Sequence, residues 1–362
     1  MKTKSLFKFA IIFFCPLFIH AATENGIKQT KEKTIKREFK VNPNATLHID
    51  NSYGNLNIVT WNENRIEIVV HITTSGRDQE DVKRKLDAIT VNFNASPNMV
   101  SAETIFNKNQ SNSWWKNLFQ NNSASMQIDY FVKMPITNQV DLNNDYGNIN
   151  LDKLEGRANI SCDYGKIITK GLMAENNSLN FDYSDNCYFE YIKSGEINAD
   201  YSGFTVAKTN NLTVNADYTD ARIEIAEDVS FECDYGSMKI QKANNITGNG
   251  DYLTMDFGEV YKNITIEADY GAISIDRLME TAGNVRINSD YTGIDIGLHP
   301  QYHFRFNVDL EYASLDAPEE FEFSHRINDS GDKHYKGFYG DNSSSNSVSI
   351  ESDYGSVEFY LN

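Results

Sequence analysis

The sequence predicts an all-β fold, a parallel single-stranded β-solenoid with 17–21 residues per coil. The main observation is a recurring Asp-Tyr dipeptide, usually followed by Gly, Ser or Thr, whose tyrosines are separated by 18, 19, 18, 17, 17, 17, 18 and 21 residues. A fixed period of this size is typical of repeat architectures, in which each unit buries its apolar face against its neighbours. The tyrosines of these units are Tyr146, Tyr164, Tyr183, Tyr201, Tyr218, Tyr235, Tyr252, Tyr270 and Tyr291.

The second observation is the apolar pattern inside each unit. In the unit of Tyr270, Ile264 and Ile266 precede the tyrosine at even spacing, whereas Ile273 and Ile275 follow it at odd spacing. Even spacing predicts an alternating strand with the tyrosine on its buried face, and the change of phase predicts a corner directly after it. Glycine stands at that next position in six units, where we expect a backbone with positive φ. These glycines are Gly54, Gly147, Gly165, Gly236, Gly271 and Gly355.

The same pattern identifies three degenerate units, at Tyr53, Tyr312 and Tyr354, so that twelve tyrosines share one position. We expect the ten units from Tyr146 to Tyr312 to stack as parallel coils, with successive rings near the offset-stacking distance. An antiparallel meander that turns at each tyrosine is the alternative. The near-constant unit length favours the solenoid, because it aligns like positions only in parallel coils. In the Tyr183 unit the apolar phase slips to Cys187 and Phe189, which predicts a bulge.

The regions outside the repeat divide the chain into three parts. Residues 1–22 are predicted to be a secretory signal peptide, with early lysines, an apolar stretch from Phe9 to Ile19 and small residues at Ala21 and Ala22. Residues 23–140 are predicted to form an N-terminal β region with one helix at 78–88, which caps the stack, and an aromatic loop. Residues 141–362 form the repeat region, with a polar insertion near 328–347.

Charge and composition exclude several functional classes. The formal net charge of −18 argues against binding to nucleic acid and to anionic lipid, both of which require basic patches. No segment after the signal is long and apolar enough for a transmembrane helix. Cys162 and Cys233 occupy the same repeat position four units apart, roughly 19 Å at a strand spacing of about 4.8 Å, which is too far for a disulfide. We therefore interpret Cys162, Cys187 and Cys233 as small buried apolar residues.

The candidate binding residues are Trp114, Trp115 and Phe119, which lie in a polar loop rich in Asn and Ser. Aromatic side chains are unfavourable in such a loop if they only face water. One interpretation is an apolar plug that packs onto the edge of the sheet. The other is an exposed aromatic platform for sugar rings or for a partner protein.

The aspartates that precede the tyrosines form a second candidate feature. We expect them to face outward on adjacent coils, where each carboxylate accepts a hydrogen bond from the turn just beyond it. Bridging of the column by calcium or another cation is the alternative. The calcium-binding repeat Gly-Gly-x-Gly-x-Asp is absent, and we predict no metal site and no cofactor.

No catalytic motif stands out in the sequence. There is no His-Glu-x-x-His, Gly-x-Ser-x-Gly or phosphate-binding glycine loop, and the histidines are isolated. The histidines after the predicted signal peptide are His48, His71, His299, His303, His325 and His334. We predict that the protein is not an enzyme.

Several short motifs together resemble the bacterial family named "putative adhesin", a numbered domain of unknown function built from β-strand repeats. They are an export signal, a Phe39-Lys-Val-x-Pro43 lead-in, the Leu47-x-Ile-x-Asn-x-Tyr-Gly54 unit, the Thr60-Trp-Asn-Glu-Asn64 turn and Gly-x-Ile-x-Ile-like repeats. The resemblance covers essentially the whole chain after the signal. It implies a solenoid-like fold on exported envelope proteins and no settled activity.

The sequence therefore predicts an exported protein of the bacterial cell envelope with a non-catalytic binding or structural role. Its location would be the periplasm, the outer surface or the medium, and its partner an envelope protein or a glycan. An envelope-stress or regulatory accessory protein that binds another protein is the first alternative. A polysaccharide-active β-helix enzyme is the second.

Overall fold

The computed structural model describes residues 28–106, 124–329 and 331–362. Within these ranges the chain is almost entirely β-structure with one short helix, as the all-β prediction requires. The predicted signal peptide and the predicted binding residues Trp114, Trp115 and Phe119 lie outside the described residues.

The helix and strands are as follows in chain order: β1 (Gln29–Lys40), β2 (Thr46–Ser52), β3 (Leu56–Trp61), β4 (Arg65–Gly76), α1 (Gln79–Ala88), β5 (Ile89–Ser96), β6 (Met99–Phe106), β7 (Ala124–Pro135), β8 (Gln139–Asp145), β9 (Ile149–Leu151), β10 (Ala158–Ser161), β11 (Ile167–Leu172), β12 (Asn177–Asn180), β13 (Cys187–Asn198), β14 (Gly203–Asp251), β15 (Leu253–Val260), β16 (Ile264–Asp269), β17 (Ala272–Leu278), β18 (Val285–Asp290), β19 (Gly293–Leu298), β20 (Phe304–Glu311), β21 (Ser314–Asp316), β22 (Phe321–Asn328), β23 (Asp332–Tyr339), β24 (Ser347–Asp353) and β25 (Ser356–Leu361). Strand β14 runs through the corners at Tyr218 and Tyr235 without interruption.

The repeat units pair in parallel and in register. We call one strand, its tyrosine corner and the following strand a rung. The strands before the tyrosines pair with one another to form the first face, where Ile266 lies opposite Ile287 and Ile287 opposite Ile350. The strands after the tyrosines form the second face, where Ile273 lies opposite Ile294. Like positions are therefore aligned from rung to rung, and the antiparallel alternative does not apply to these strands.

The apolar side chains of both faces meet in one core. The isoleucines that precede and follow Tyr270 at even and odd spacing are all buried. Phe181, on the first face, contacts two rings of the second face, Phe189 at 6.0 Å and Phe204 at 5.8 Å between ring centroids. The predicted phase change at the corner is thus the point where the chain passes from one side of this core to the other.

The predicted conformation of the corner is wrong in two respects. All twelve repeat tyrosines have positive φ, between 50° and 64°, whereas Gly340 is the one glycine with positive φ in the described ranges. The tyrosines are also not buried: the exposed fraction of Tyr146 is 51%, those of ten others lie between 43% and 62%, and Tyr53 is half-buried. The left-handed residue turns the chain at the tyrosine itself, so its side chain points outward instead of continuing the buried alternation.

The glycine after the tyrosine has a different role from the predicted one. A Cβ atom added to Gly147 would lie 1.9 Å from the carbonyl oxygen of Gly54 on the preceding rung, and one on Gly165 would lie 2.0 Å from that of Gly147. Glycine is required here because two backbones approach closely, and not because of φ.

The rungs do not stack in the order of the sequence. Strand β24 pairs in parallel with β18 on one side and with β20 on the other, so the Tyr354 rung lies between the rungs of Tyr291 and Tyr312. The predicted uninterrupted stack from Tyr146 to Tyr312 is therefore wrong at its last step. Part of the predicted polar insertion forms β23, which pairs antiparallel with β20 and β22 and completes the first face at this end.

The other end of the stack is covered by antiparallel strands and the helix. Strand β4 pairs antiparallel with β1 and β7, and β5 pairs antiparallel with β6. Helix α1 begins after Asp78, whose carboxylate accepts hydrogen bonds from the backbone of Glu80 and Asp81 at 2.8 and 2.9 Å. The hydroxyl of Thr74 on β4 donates to the carbonyl of Val82, which holds the helix against this strand.

The irregular unit and the cysteines agree with the sequence. The Tyr183 unit contains one extra residue, Asn186, which adopts a φ of 59° and lets Cys187 and Phe189 point into the core. All three cysteines of the described ranges are buried and free. Burial raises the pKa of the Cys162 and Cys233 thiols to about 12, so both remain protonated near neutral pH.

A glycine pair tests the close approach at the corners. We expect Gly147→Ala to destabilise the protein by at least about 3 kcal/mol, because the new methyl group overlaps the Gly54 carbonyl. The control is Gly293→Ala, where no atom lies within 4 Å of the added Cβ and the expected change stays within about 1 kcal/mol. The two unfolding free energies are measured by denaturant titration, and equal values would contradict the proposed role of Gly147.

Candidate binding surface

The twelve repeat tyrosines form one continuous stack, which we call the tyrosine ladder. It comprises, in spatial order, Tyr53, Tyr146, Tyr164, Tyr183, Tyr201, Tyr218, Tyr235, Tyr252, Tyr270, Tyr291, Tyr354 and Tyr312. Neighbouring ring centroids lie 4.7–5.2 Å apart, with angles between ring planes of 1–13°. The predicted stacking is confirmed, although it runs along the outside of the molecule.

Stacking offsets the strain of the left-handed tyrosines. A left-handed conformation costs a residue with a side chain roughly 1–2 kcal/mol, and an offset stacked pair contributes about 0.5–1.5 kcal/mol beyond burial. The backbone adds further support, because the amides of most ladder tyrosines donate to the carbonyl of the acidic residue on the next rung, as from Tyr146 to Asp163 at 2.9 Å, whereas the amide of Tyr312 donates to the carbonyl of Gly331. Each ladder tyrosine is therefore held in its left-handed conformation by contacts with neighbouring rungs, because its own backbone preference opposes that conformation.

The aspartates beside the ladder connect the rungs. The carboxylate of Asp234 accepts a hydrogen bond from the backbone N–H of Asp251 at 2.8 Å, and that of Asp182 accepts one from the N–H of Asp200 at 3.1 Å. The predicted bond to the turn of the same coil is wrong, since the acceptor reaches across to the next rung. Desolvation, and then repulsion by neighbouring aspartates, raises the pKa of Asp251 and Asp290.

The described residues contain no group of three or more His, Cys, Asp or Glu side chains placed to hold a metal ion.

A polar groove runs across successive rungs of the first face, beyond the aspartate column. Its walls carry hydroxyl, amide and a few charged groups above a floor formed by Leu212 and Val229. The wall residues include Arg157, Asn176, Ser178, Glu196, Asn211, Thr213, Asp228, Ser230, Asn245 and Thr247.

The polar groove repeats its chemistry from rung to rung. Ser178, Thr213, Ser230 and Thr247 all stand five residues before their tyrosines, and Asn176, Asn211 and Asn245 stand seven residues before theirs. Asn211 and Thr247 are exposed. Rows of hydroxyl and amide groups offer both donors and acceptors to a ligand that itself repeats.

A second groove lies on the second face and carries more charge. Its lysines are paired with acidic residues, Lys242 with Glu259 at 2.8 Å and Lys239 with Asp256 at 3.7 Å. These pairs link neighbouring rungs, so we interpret this groove as part of the structural framework.

The histidines pair singly with carboxylates on separate rungs. His48 lies 2.8 Å from Asp141 near one end of the stack, and His334 hydrogen-bonds Asp309 near the other. His299 lies 3.8 Å from Glu280. The structure does not bring these pairs together.

The sequence analysis missed the polar groove although its signal was present. The regular Ser and Thr residues five positions before the tyrosines, and the Asn residues seven positions before, are visible in the register of the repeat. The aspartates and the aromatic loop were predicted as candidate sites because charged and aromatic side chains are typical of binding sites. The aromatic loop lies outside the described residues, so its role stays a prediction.

The strain of the ladder can be tested at Tyr252, which has a φ of 54°. Both Tyr252→Ala and Tyr252→Gly remove two stacked contacts, roughly 1–3 kcal/mol in total, but only glycine relieves the left-handed strain. We expect the glycine variant to be the more stable of the two by about 1 kcal/mol, as measured by denaturant unfolding. At the exposed strand residue Thr254 the order should reverse, with alanine above glycine. The same order at both sites would argue against strain at the ladder.

The pH dependence tests the aspartate column. The raised pKa of Asp251 means that the native state binds this proton more tightly than the unfolded chain, so this contribution to stability is present below the ordinary pKa of 3.8 and is lost as the pH rises through the native value. We expect Asp251→Asn to raise the melting temperature at pH 7 and to have little effect near pH 3.

Asp152 provides the control of opposite sign. Its pKa is lowered by its hydrogen bond with Lys170, whose Nζ lies 2.8 Å away, so Asp152→Asn should lower the melting temperature at pH 7. If both variants shifted the melting temperature in the same direction, desolvation and repulsion along the aspartate column would not control the contribution of Asp251 to stability.

The described residues contain no helix long and apolar enough to cross a membrane.

No family model matches the sequence, and no curated protein matches it. Among solved structures, the chain is similar to a "putative cell adhesion protein" from Clostridium sporogenes, with 12% identity, coverage of 92% of this chain and 100% of that chain, and a TM-score of 0.19. It is also similar to a "putative adhesin" from Bacteroides fragilis, with 10% identity, coverage of 91% and 97%, and a TM-score of 0.26. A "putative lipid binding protein" from Parabacteroides distasonis has 13% identity, coverage of 90% and 96%, and a TM-score of 0.30. At these identities and TM-scores a shared family is not established, and the resemblance to the adhesin family stays a prediction.

Proposed function

We propose that this chain is an exported protein of the bacterial cell envelope that acts by non-catalytic binding, in the manner of an adhesin. The observation that supports this function best is the polar groove, in which hydroxyl and amide groups recur at fixed repeat positions and are replaced by a carboxylate only at Glu196 and Asp228. We further propose that the parallel rungs close into a solenoid, which would make this surface rigid.

A repeated surface favours binding over catalysis. General acid and base catalysis needs a few titratable groups that converge on one bond. The histidine–carboxylate pairs of the described residues are instead distributed along the stack, and the acidic residues recur at a regular spacing. An extended ligand that contacts several rungs at once gains avidity from each additional contact.

A glycan with uncharged hydroxyl groups suits the polar groove. Its walls offer neutral donors and acceptors, such as Asn211, Thr213 and Thr247, above a partly apolar floor. A strongly anionic polymer would be repelled by a chain with a net charge of −18. We propose the aromatic loop with Trp114, Trp115 and Phe119 as a second contact for the same ligand or for an envelope protein.

Binding of the purified chain to a panel of immobilised neutral and acidic polysaccharides tests the proposal. The variant Asn211→Ala/Thr247→Ala removes groups from the polar groove and should weaken binding to a neutral polysaccharide by about tenfold, corresponding to two lost hydrogen bonds. The matched control is Asn62→Ala/Thr254→Ala, which removes an exposed amide and an exposed hydroxyl away from the groove and should leave binding unchanged. Equal losses in both variants would rule out a role for the groove.

The location of the protein is tested by cell fractionation. An adhesin should be found on the outer surface or in the medium, whereas an accessory protein of envelope stress should remain in the periplasm. Cleavage of any polysaccharide in the panel would overturn the non-catalytic proposal.

A further inference from the structure

The tyrosine ladder places a strained, stacked residue at each of its twelve corners. Glycine would adopt the left-handed corner without strain, yet tyrosine stands at all twelve corners. Strained residues that are retained throughout a structure direct attention to a function of their side chains. We propose that the ladder is a site of oxidative modification, at which adjacent phenol rings are joined into dityrosine and neighbouring rungs are linked covalently.

The first argument is proximity. Each of the eleven neighbouring ring pairs has a centroid distance of 4.7–5.2 Å and nearly parallel planes. A radical formed on one ring therefore has a second phenol in contact with it at all times. Such placement replaces an encounter between two molecules by a step within one, with a large gain in rate.

The second argument is access. The exposed fraction of the ladder tyrosines other than Tyr53 is about half, from 43% for Tyr235 to 62% for Tyr312. An oxidant in solution can reach the ring edges and hydroxyl groups. A half-exposed ring also has room to tilt from the parallel arrangement toward the geometry in which a carbon–carbon bond forms.

The chemistry requires a one-electron oxidant, and we assign this role to hydrogen peroxide activated by a peroxidase. Each of two adjacent phenols loses one electron to the oxidant and its hydroxyl proton to water. The two phenoxyl radicals then form a bond between the ring carbons next to the oxygens. The hydrogens on those carbons restore the two hydroxyl groups, and one peroxide is reduced to two waters.

The order of the rungs allows a sharp test. Tyr291 contacts Tyr354 at 4.7 Å, and Tyr354 contacts Tyr312 at 5.1 Å, whereas Tyr291 and Tyr312, which are successive ladder tyrosines in the sequence, lie two rungs apart. The folded chain is treated at low concentration with peroxidase and hydrogen peroxide, the monomer is isolated, and cross-linked peptides are identified by mass spectrometry. We expect linked pairs of Tyr291 with Tyr354 and of Tyr354 with Tyr312, each with the loss of two hydrogens, and no pair of Tyr291 with Tyr312.

Two controls accompany this experiment. Tyr354→Phe should abolish both linked pairs without creating a link between Tyr291 and Tyr312, while the pairs in the rest of the ladder persist. Tyr188 is a matched exposed tyrosine, at 41% against 43% for Tyr235, and no ring contact joins it to another tyrosine within the described ranges. We expect Tyr188 to form few dityrosine links.

The result that overturns the proposal is equally specific. Oxidation that consumes tyrosines without producing links within the ladder, or links to Tyr188 as frequent as those between ladder neighbours, would show that stacking does not direct the reaction. The same links in protein unfolded by urea would lead to the same conclusion.

Discussion

The spacing between parallel strands is the constraint on which the rest of the structure depends. Backbone hydrogen bonds set neighbouring strands about 4.8 Å apart, and every repeated group inherits that distance. Tyrosine rings stack because this spacing is close to the preferred distance of offset aromatic pairs. The same spacing lets an aspartate carboxylate reach the amide of the next rung, and at the corner of Tyr146 it leaves no room for a side chain on Gly147, which faces the carbonyl of Gly54.

The ladder and the aspartate column combine favourable and unfavourable contributions at each corner. Left-handed tyrosines and neighbouring carboxylates oppose folding, whereas ring stacking and hydrogen bonds between rungs support it. All of the favourable contributions involve a neighbouring rung, and the strain is local. A single rung would therefore be unstable, and stability should grow with each rung added to the stack.

Much of the fold was predictable because the repeat is regular. The period, the buried isoleucines of the Tyr270 unit and the bulge near Cys187 follow from alternation alone. The conformation of the corner did not follow, because alternation shows which residues are buried only as long as the chain stays extended. Glycine at the corner suggested positive φ, whereas close backbone contact, which involves a residue distant in sequence, was the actual reason. The polar groove was equally accessible to pattern analysis, but neutral side chains attract less attention than charged or aromatic ones.

The position of the Tyr354 rung has a consequence for how the chain folds. Strands β18 and β20 are successive strands of the first face in the sequence, yet each pairs with β24, which comes after the hairpin of β22 and β23. Their facing edges must stay unpaired until residues 347–361 have been made. A chain made from its N-terminus can assemble the rungs up to that of Tyr291 one by one, but the Tyr312 rung can join the stack only together with the Tyr354 rung. This end of the molecule should thus be the slowest to acquire native contacts, and the region most exposed to mispairing with other chains before the last strands are made.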